Sequence, residues 1–457
     1  MAVSDWRGQE FQVRLGPPGH GGFCVGRHEG RVVFVRHGLP DELVRARVTE
    51  DRGGSFCRAD AVEIIEASPD RIPATCPVSG PGGAGCCDFS FATPAAQRAL
   101  KATVVAEQLR RLAKVERAIE VEPISGDGGT DTGGWRTRVR LVVDPAGRAG
   151  VHRYRSTAVI PDLRCPQPVA GALDGVADRI WTPGADLVVA VDGDGVRHIV
   201  ELAATGETDR PGGRPSTPRG ATRGRGQRPA RRRESGQPVA DERGAVRDRA
   251  AARKSATNAP REEWVMAGSG RAVEYVAGRR WELAATGFWQ AHRGAAQCYS
   301  DLIAEWSGLV PGGSGWDLYS GVGVFAARLA EQTGQTGAVA AVESARSAVA
   351  DGTAALADLP WLELRADRVE RWARTHATDS RPDVVVLDPP RVGAGKEVVA
   401  AVTDADPRRI VHIGCDPAAF ARDLGLYLDA GYHLADLRAF DAFPATHHVE
   451  CVALLDR

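Results

Sequence analysis

DVVVLDPPR at 383–391 and RRIVHIGCDP at 408–417 decide the fold. Each is a run of branched apolar residues that stops abruptly at polar, proline-bearing residues, and a polar, helix-compatible run separates the two. Short continuous apolar runs that alternate with helical stretches read as strands of a parallel sheet buried on both faces. Ligands of such a sheet sit in the crevice outside the carboxyl ends of its strands. The loops that begin at Asp388 and at Cys415 are therefore expected to face one site, a base held against a thiolate.

The same alternation extends outward. WDLYSGVGVFAARLA, AVAAVES, LELRAD, the two quoted runs, HLADLRAF and VECVALL predict a twisted, mostly parallel sheet with helices on both faces. In DLYSGVGVF, Gly321 and Gly323 lie between a strand and a helix, where the backbone must pass close to a ligand. A glycine loop followed by Glu343, an acidic end to the next strand that would bond ribose hydroxyls, also fits dinucleotide enzymes. Two further carboxylates, Asp367 and Asp388, make the set similar to class I S-adenosylmethionine methyltransferases.

Residues 10–65 carry short β-rich pieces between glycine, proline and charged turns, which predicts a small all-β barrel. The segment GHGGFCVGRHEGRVVFVRHGLPDELVRARV at 19–48 resembles the TRAM domain, an RNA-binding module, with Asp41 where its LPGE turn has glycine. Arg27, His28, Arg31 and Phe34 are candidates to meet phosphates and bases. Cys24 and Cys57 are read as barrel residues, and a locally altered turn is expected at Asp41.

CPVSGPGGAGCCDFSF at 76–91 precedes a helix that Thr93 would cap with Pro94 at its first position. Leu100, Val104, Leu109 and Leu112 form its packing face, and Lys101, Arg110 and Arg111 its charged face. TRVRLVVD, GVHRYR and STAVIPDLRCP then predict a second sheet ending at Cys165. This region is similar to the central domain of RNA uracil-5-methyltransferases, many of which hold a four-iron four-sulfur cluster on four cysteines. The resemblance implies such a cluster on Cys76, Cys86, Cys87 and Cys165; Ala84 stands where the family's CGGC run has a ligand, and Cys86 substitutes. The alternative is a cluster-free domain with residual thiols.

The stretch TDRPGGRPSTPRGATRGRGQRPARRRESG at 208–236 has almost no large apolar residue and is expected to be disordered, within an insertion at 205–263 that either holds RNA phosphates or serves as a linker. GFWQAHRGAAQ at 287–297 resembles the methyltransferases' FxQ motif, with Gln290 as the cofactor-touching residue and His292 where Asn is usual.

DLYSGVG, LDPPRVG, HIGCDPAAFARDL and DAFPATHHVECVALL occur in the order and spacing of the RNA 5-methyluridine methyltransferase family. The resemblance covers almost the whole chain outside the insertion. It implies S-adenosylmethionine bound by Gln290, Tyr319, Gly321, Glu343, Asp367 near the adenine, and Asp388. It also implies Cys415 as the nucleophile at carbon 6 of uracil and Glu450 as the base that removes the carbon 5 proton. Arg391, His447 and His448 are neighbours able to position groups or handle protons, whereas Cys298 and Cys451 are assigned to packing. The RNA is expected to be ribosomal, with transfer RNA as the second choice. The target base must leave its stack.

The expected fold class is α/β: a TRAM-like, OB-like barrel at 1–66, a central α+β domain at 67–204, the insertion at 205–263, and a Rossmann-like class I methyltransferase domain at 264–457. With 58 basic and 59 acidic residues in 457, RNA binding must rest on local patches. Without an export signal or a long apolar run, a cytoplasmic monomer off the membrane is expected. An amino-group RNA methyltransferase with Cys415 incidental, and an inactive RNA-binding protein, are the competing readings.

Overall fold

The computed structural model describes residues 5–124, 133–204 and 261–457. The disorder expected within 205–263 falls, for residues 205–260, outside the described residues.

The sheet on which the C-terminal region is built has eight strands in the order Leu362–Ala366, Ala338–Glu343, Ser314–Leu318, Val384–Leu387, Arg409–Gly414, Glu450–Asp456, His433–Asp441, Val121–Pro123. The first five run parallel. Glu450–Asp456 is antiparallel to both its neighbours, and the edge strand Val121–Pro123 is parallel to His433–Asp441. Because successive side chains on a strand face opposite sides, the run VVVL is divided between two cores. Val384 and Val386 join one helical layer, Val385 and Leu387 the other. Each fully buried valine or leucine contributes about 1.5–3 kcal/mol over an exposed one, so a continuous apolar run is what a strand covered on both faces requires.

The N-terminal sheet has six strands, Glu10–Arg14, Leu43–Asp51, Phe56–Glu66, Arg31–Arg36, Phe23–His28 and Pro18–Gly19 in spatial order. Its core includes Cys24 and Cys57, as expected. Asp41 keeps the turn that glycine would make: its φ is +65°, and its carbonyl accepts Arg14 Nη1–H at 2.8 Å. Two of the proposed RNA contacts are engaged within the barrel. His28 stacks on Phe11 at 3.8 Å, and Arg31 pairs with Asp51 at 2.7 Å while covering Trp6. Phe34 makes edge contacts with Phe23 and Phe56, and Arg27 is exposed.

Between them lies an antiparallel six-stranded sheet, Val159–Ile160, Ala149–His152, Arg138–Val143, Asp186–Val191, Arg197–Leu202 and Glu263–Ala267. The chain thus interleaves its regions: Val121–Pro123 reaches into the C-terminal sheet, and Glu263–Ala267 completes the central one. The helix Pro94–Gln108 begins as expected, with Thr93 Oγ1 accepting Ala96 N–H at 3.3 Å. Lys101, however, does not lie on a charged face. It is 1% exposed and donates to Asp441 at 2.5 Å and to the Phe443 carbonyl at 3.0 Å, which ties the helix to the segment before Glu450. Among the described residues, no helix is long and apolar enough to cross a membrane.

Candidate active site

The carboxyl ends of the parallel strands open on a cleft of about 1240 Å³, at the point where connections from Ser314–Leu318 and Val384–Leu387 leave to opposite sides. Gln290, Tyr319, Glu343, Asp388, Cys415 and Glu450 all line it, and so does Gly321. Residues far apart in sequence therefore share one cavity because their strands are neighbours.

The glycine turn is built from strained and permissive residues in succession. Tyr319 has φ +65° directly after its strand, and Gly321 has φ +56° with open space where a side chain would be. This conformation lets the Gly321 N–H reach Glu343 Oε2 at 3.2 Å. The other Glu343 oxygen accepts from Ala345 N–H at 2.7 Å and Ser344 Oγ–H at 3.0 Å, which fixes the carboxylate at the cleft wall. Beneath the turn, Asp317 is fully buried and accepts Ala326 N–H at 2.8 Å from the following helix; burial pushes its carboxyl up to about 8.

Asp388 Oδ2 accepts Gln290 Nε2–H at 3.3 Å, which joins the FxQ segment to the DPPR loop. Burial pushes Asp388 up to about 7. Glu450, 4% exposed, lies well above the ordinary carboxyl range, first through burial and then through Asp388, with Arg391 pulling the other way. Cys415 is pushed up to about 12 by burial and by Glu450 and Asp388, again opposed by Arg391. Arg391 Nη2 also approaches His448 Nε2 at 3.5 Å. A thiol, two carboxyls and one guanidinium thus form a cluster in which burial favours the neutral acids and a nearby positive charge favours their ionised forms.

Asp367 differs from the other expected cofactor residues. It follows the strand Leu362–Ala366 but is not part of the cleft wall; its carboxylate accepts from Arg371 Nε–H at 2.8 Å and Arg368 N–H at 2.6 Å, and Arg368 and Arg371 line the cleft instead. His292 is 6% exposed, stacks on Trp135 and accepts Gly294 N–H at 3.1 Å, a packing role. Cys451 is fully buried and Cys298 half-buried against the core, as expected.

Cys76, Cys86, Cys87 and Cys165 are brought together around Cys87, whose thiol interacts with the other three. Those interactions push Cys87 far up and hold the others down, Cys76 to about 6. Gln167 donates to Cys87 Sγ at 3.2 Å and accepts from Arg136 Nη1–H at 3.0 Å, so a cation stands behind the thiols. Ala84 is buried, its N–H bonded to the Val78 carbonyl at 2.8 Å. Among the described residues, no group of His, Cys, Asp or Glu is spaced as a ready metal site.

Sequence reasoning missed Arg136, Gln167 and Asp423. Asp423 accepts Ala394 N–H at 2.6 Å and Gly395 N–H at 3.2 Å, pinning the loop that carries Arg391. Its place two helical turns after Asp416 was the available signal.

The chain is 40% identical to an uncharacterized RNA methyltransferase of Streptomyces avermitilis, over 98% of each chain. It is 30% identical to the 23S rRNA (uracil(1939)-C(5))-methyltransferase RlmD of Alkalilimnicola ehrlichii, over 98% of this chain and 97% of that one. It belongs to the S-adenosylmethionine-dependent RNA (uracil-5-)-methyltransferase family. Within this methyltransferase, residues 364–457 match the tRNA (uracil-5-)-methyltransferase family and residues 6–62 the TRAM domain. The methyltransferase also shares its fold with the Pyrococcus abyssi tRNA (uracil-54, C5)-methyltransferase, solved with S-adenosyl-L-homocysteine: TM-score 0.63, 18% identity, 97% of this chain and 100% of that one.

Proposed function

We propose that this enzyme methylates carbon 5 of a uridine in ribosomal RNA through a covalent adduct between Cys415 and carbon 6. The observation that carries the reading is the cleft itself, where Cys415 stands with Glu450, Asp388 and Arg391 at the ends of adjacent strands. Carbon 5 of uracil is a weak nucleophile. As the thiolate, which the Arg391 guanidinium favours, Cys415 adds to carbon 6 and places an electron pair on carbon 5. Glu450, once ionised, removes the carbon 5 proton after methylation, and the carbon 6–sulfur bond breaks to return the thiolate.

Gln290, Tyr319, Gly321, Glu343 and Asp388 hold the cofactor, and Asp367 sets the arginines at its adenine end. S-adenosylmethionine, when bound, supplies an electrophilic methyl group and a positive charge that favours the ionised forms of Asp388 and Glu450. Full-length similarity to an enzyme named for 23S rRNA supports ribosomal RNA over transfer RNA. Cys76, Cys86, Cys87 and Cys165 would be the ligands of an iron-sulfur cluster that staples the central region, a reading supported by the mutual contact of their thiols, although they are not spaced as a ready metal site. Residues 1–66 and the central and catalytic regions then act as RNA-holding, stapling and chemical units.

The test is incubation with cofactor and RNA containing 5-fluorouridine, followed by denaturing electrophoresis. A covalent adduct that disappears in Cys415→Ala is expected; methyl transfer that survives Cys415→Ala overturns the reading. Mapping the 5-methyluridine lost on deletion identifies the RNA, and iron and sulfide analysis of anaerobically purified protein decides the cluster.

A further inference from the structure

The turn at 17–22 of the TRAM domain sits against the catalytic loops rather than out on the barrel surface. His20 Nε2 lies 3.0 Å from Asp416 Oδ2, across 396 residues of chain. Asp416 directly follows Cys415, and its other oxygen accepts Ala418 N–H at 3.1 Å and Ala419 N–H at 2.9 Å as the cap of the helix Pro417–Asp429. One carboxylate oxygen therefore fixes the helix and the other meets the TRAM domain, with the nucleophile one residue away. Burial works against the Asp416 charge, but the His20 contact and the two amides prevail and bring it down to about 2.

The same turn also packs against the segment that precedes Glu450. Gly22 has φ +80°, and a side chain there would come within 3.2 Å of Asp88 and 3.3 Å of His447. Asp88 receives His447 Nδ1 at 2.5 Å and pairs with Arg36, another TRAM residue. The His447 ring in turn lies 4.1 Å from that of His448, tilted by 38°, and His448 lines the cleft two residues before Glu450. The TRAM turn thus touches both the segment that carries Cys415 and the segment that carries Glu450.

We propose that His20 is a positioning residue for methyl transfer: by clamping Asp416 it sets where the Cys415 sulfur stands relative to carbon 6, so that the TRAM domain completes the catalytic loop as well as meeting RNA. The inference rests on Cys415 being the nucleophile. Orientation effects are steep; a misplacement of about 1 Å can cost on the order of a hundredfold in rate.

The experiment compares wild type, His20→Ala, His20→Gln and Cys415→Ala, all as full chains. The measurements are the single-turnover rate of adduct formation with 5-fluorouridine RNA, the RNA Kd, and Tm. Glutamine retains an N–H donor of similar reach. Expected for His20→Ala is an adduct rate at least about tenfold lower with Kd and Tm nearly unchanged, and recovery of most of that rate in His20→Gln. A normal adduct rate in His20→Ala, a defect confined to Kd, or a loss of rate that follows Tm and is not rescued by His20→Gln each overturns the proposal. Methyl transfer by Cys415→Ala would instead overturn the reading on which it rests, so the two failures are distinguishable.

Discussion

Replacing Glu450 with glutamine separates bond formation from bond breaking. Glu450 is 4% exposed, and burial together with Asp388 disfavours its ionised form. Glutamine has nearly the same shape and no charge to bury, so Glu450→Gln is expected to fold as well as wild type. It cannot take the carbon 5 proton. Removing a general base costs about 10²- to 10⁴-fold in rate, which corresponds to about 3–5 kcal/mol of barrier. Addition by Cys415 and methylation do not need that base, so the adduct should accumulate on unmodified RNA. The assay is end-labelled RNA with cofactor on a denaturing gel, digested to show that the trapped base carries the methyl group. Turnover within about threefold of wild type, or no adduct from a variant that binds RNA normally, would refute the assignment. The pH dependence follows from the same cause. The fold raises the Glu450 carboxyl above its ordinary range and catalysis needs it ionised, so adduct resolution should speed up as pH rises. Asp388→Asn removes a like-charged neighbour and should shift that rise to lower pH, alongside weaker cofactor binding.

Asp317 is protonated in the fold up to about pH 8, whereas an unfolded chain releases its proton near 3.8. Its contribution to stability is thus present at low pH and is lost as pH rises from about 4 through 8. Asp317→Asn, which keeps an acceptor for Ala326 N–H, should melt higher than wild type by a few kcal/mol at about pH 9 and lose that advantage toward about pH 4; equal melting at both ends contradicts the burial argument. Asp41→Gly relieves a left-handed residue whose strain is about 1 kcal/mol, and thermal melts should show a gain of no more than that, because glycine also frees the unfolded chain. Asp423→Ala strips the acceptor from two amides of the loop that carries Arg391, at a cost of about 1–3 kcal/mol in urea melts, with kcat falling more than RNA affinity.

The strands and the cleft were legible because their signals are local. Four apolar residues ending at Asp388, the β-rich run Arg409–Gly414 ending before Cys415, and a glycine turn after Leu318 need no partner to be recognised. Lys101 shows where local reasoning stops: its acceptor, Asp441, is 340 residues away, and nothing near Lys101 announces a buried ion pair. The edge strand Val121–Pro123 has only three residues and so carries no periodicity. Asp367, expected at the cofactor from its place after a strand, is paired with an arginine one helical turn later, a contact the strand itself does not announce. The stacking of His28 on Phe11 and the pairing of Arg31 with Asp51 likewise join residues well separated in sequence.

The exchange of strands between the central and catalytic sheets also bears on how the polypeptide is made. Val121–Pro123 leaves the ribosome well before its partner strand His433–Asp441, and Glu122 waits across 316 residues for Arg438. At about 5–20 residues per second that delay is roughly a quarter of a minute to a minute. Throughout it, the apolar face of the helix Pro94–Gln108 lacks its native cover, because that cover is also built from the C-terminal strands and helices.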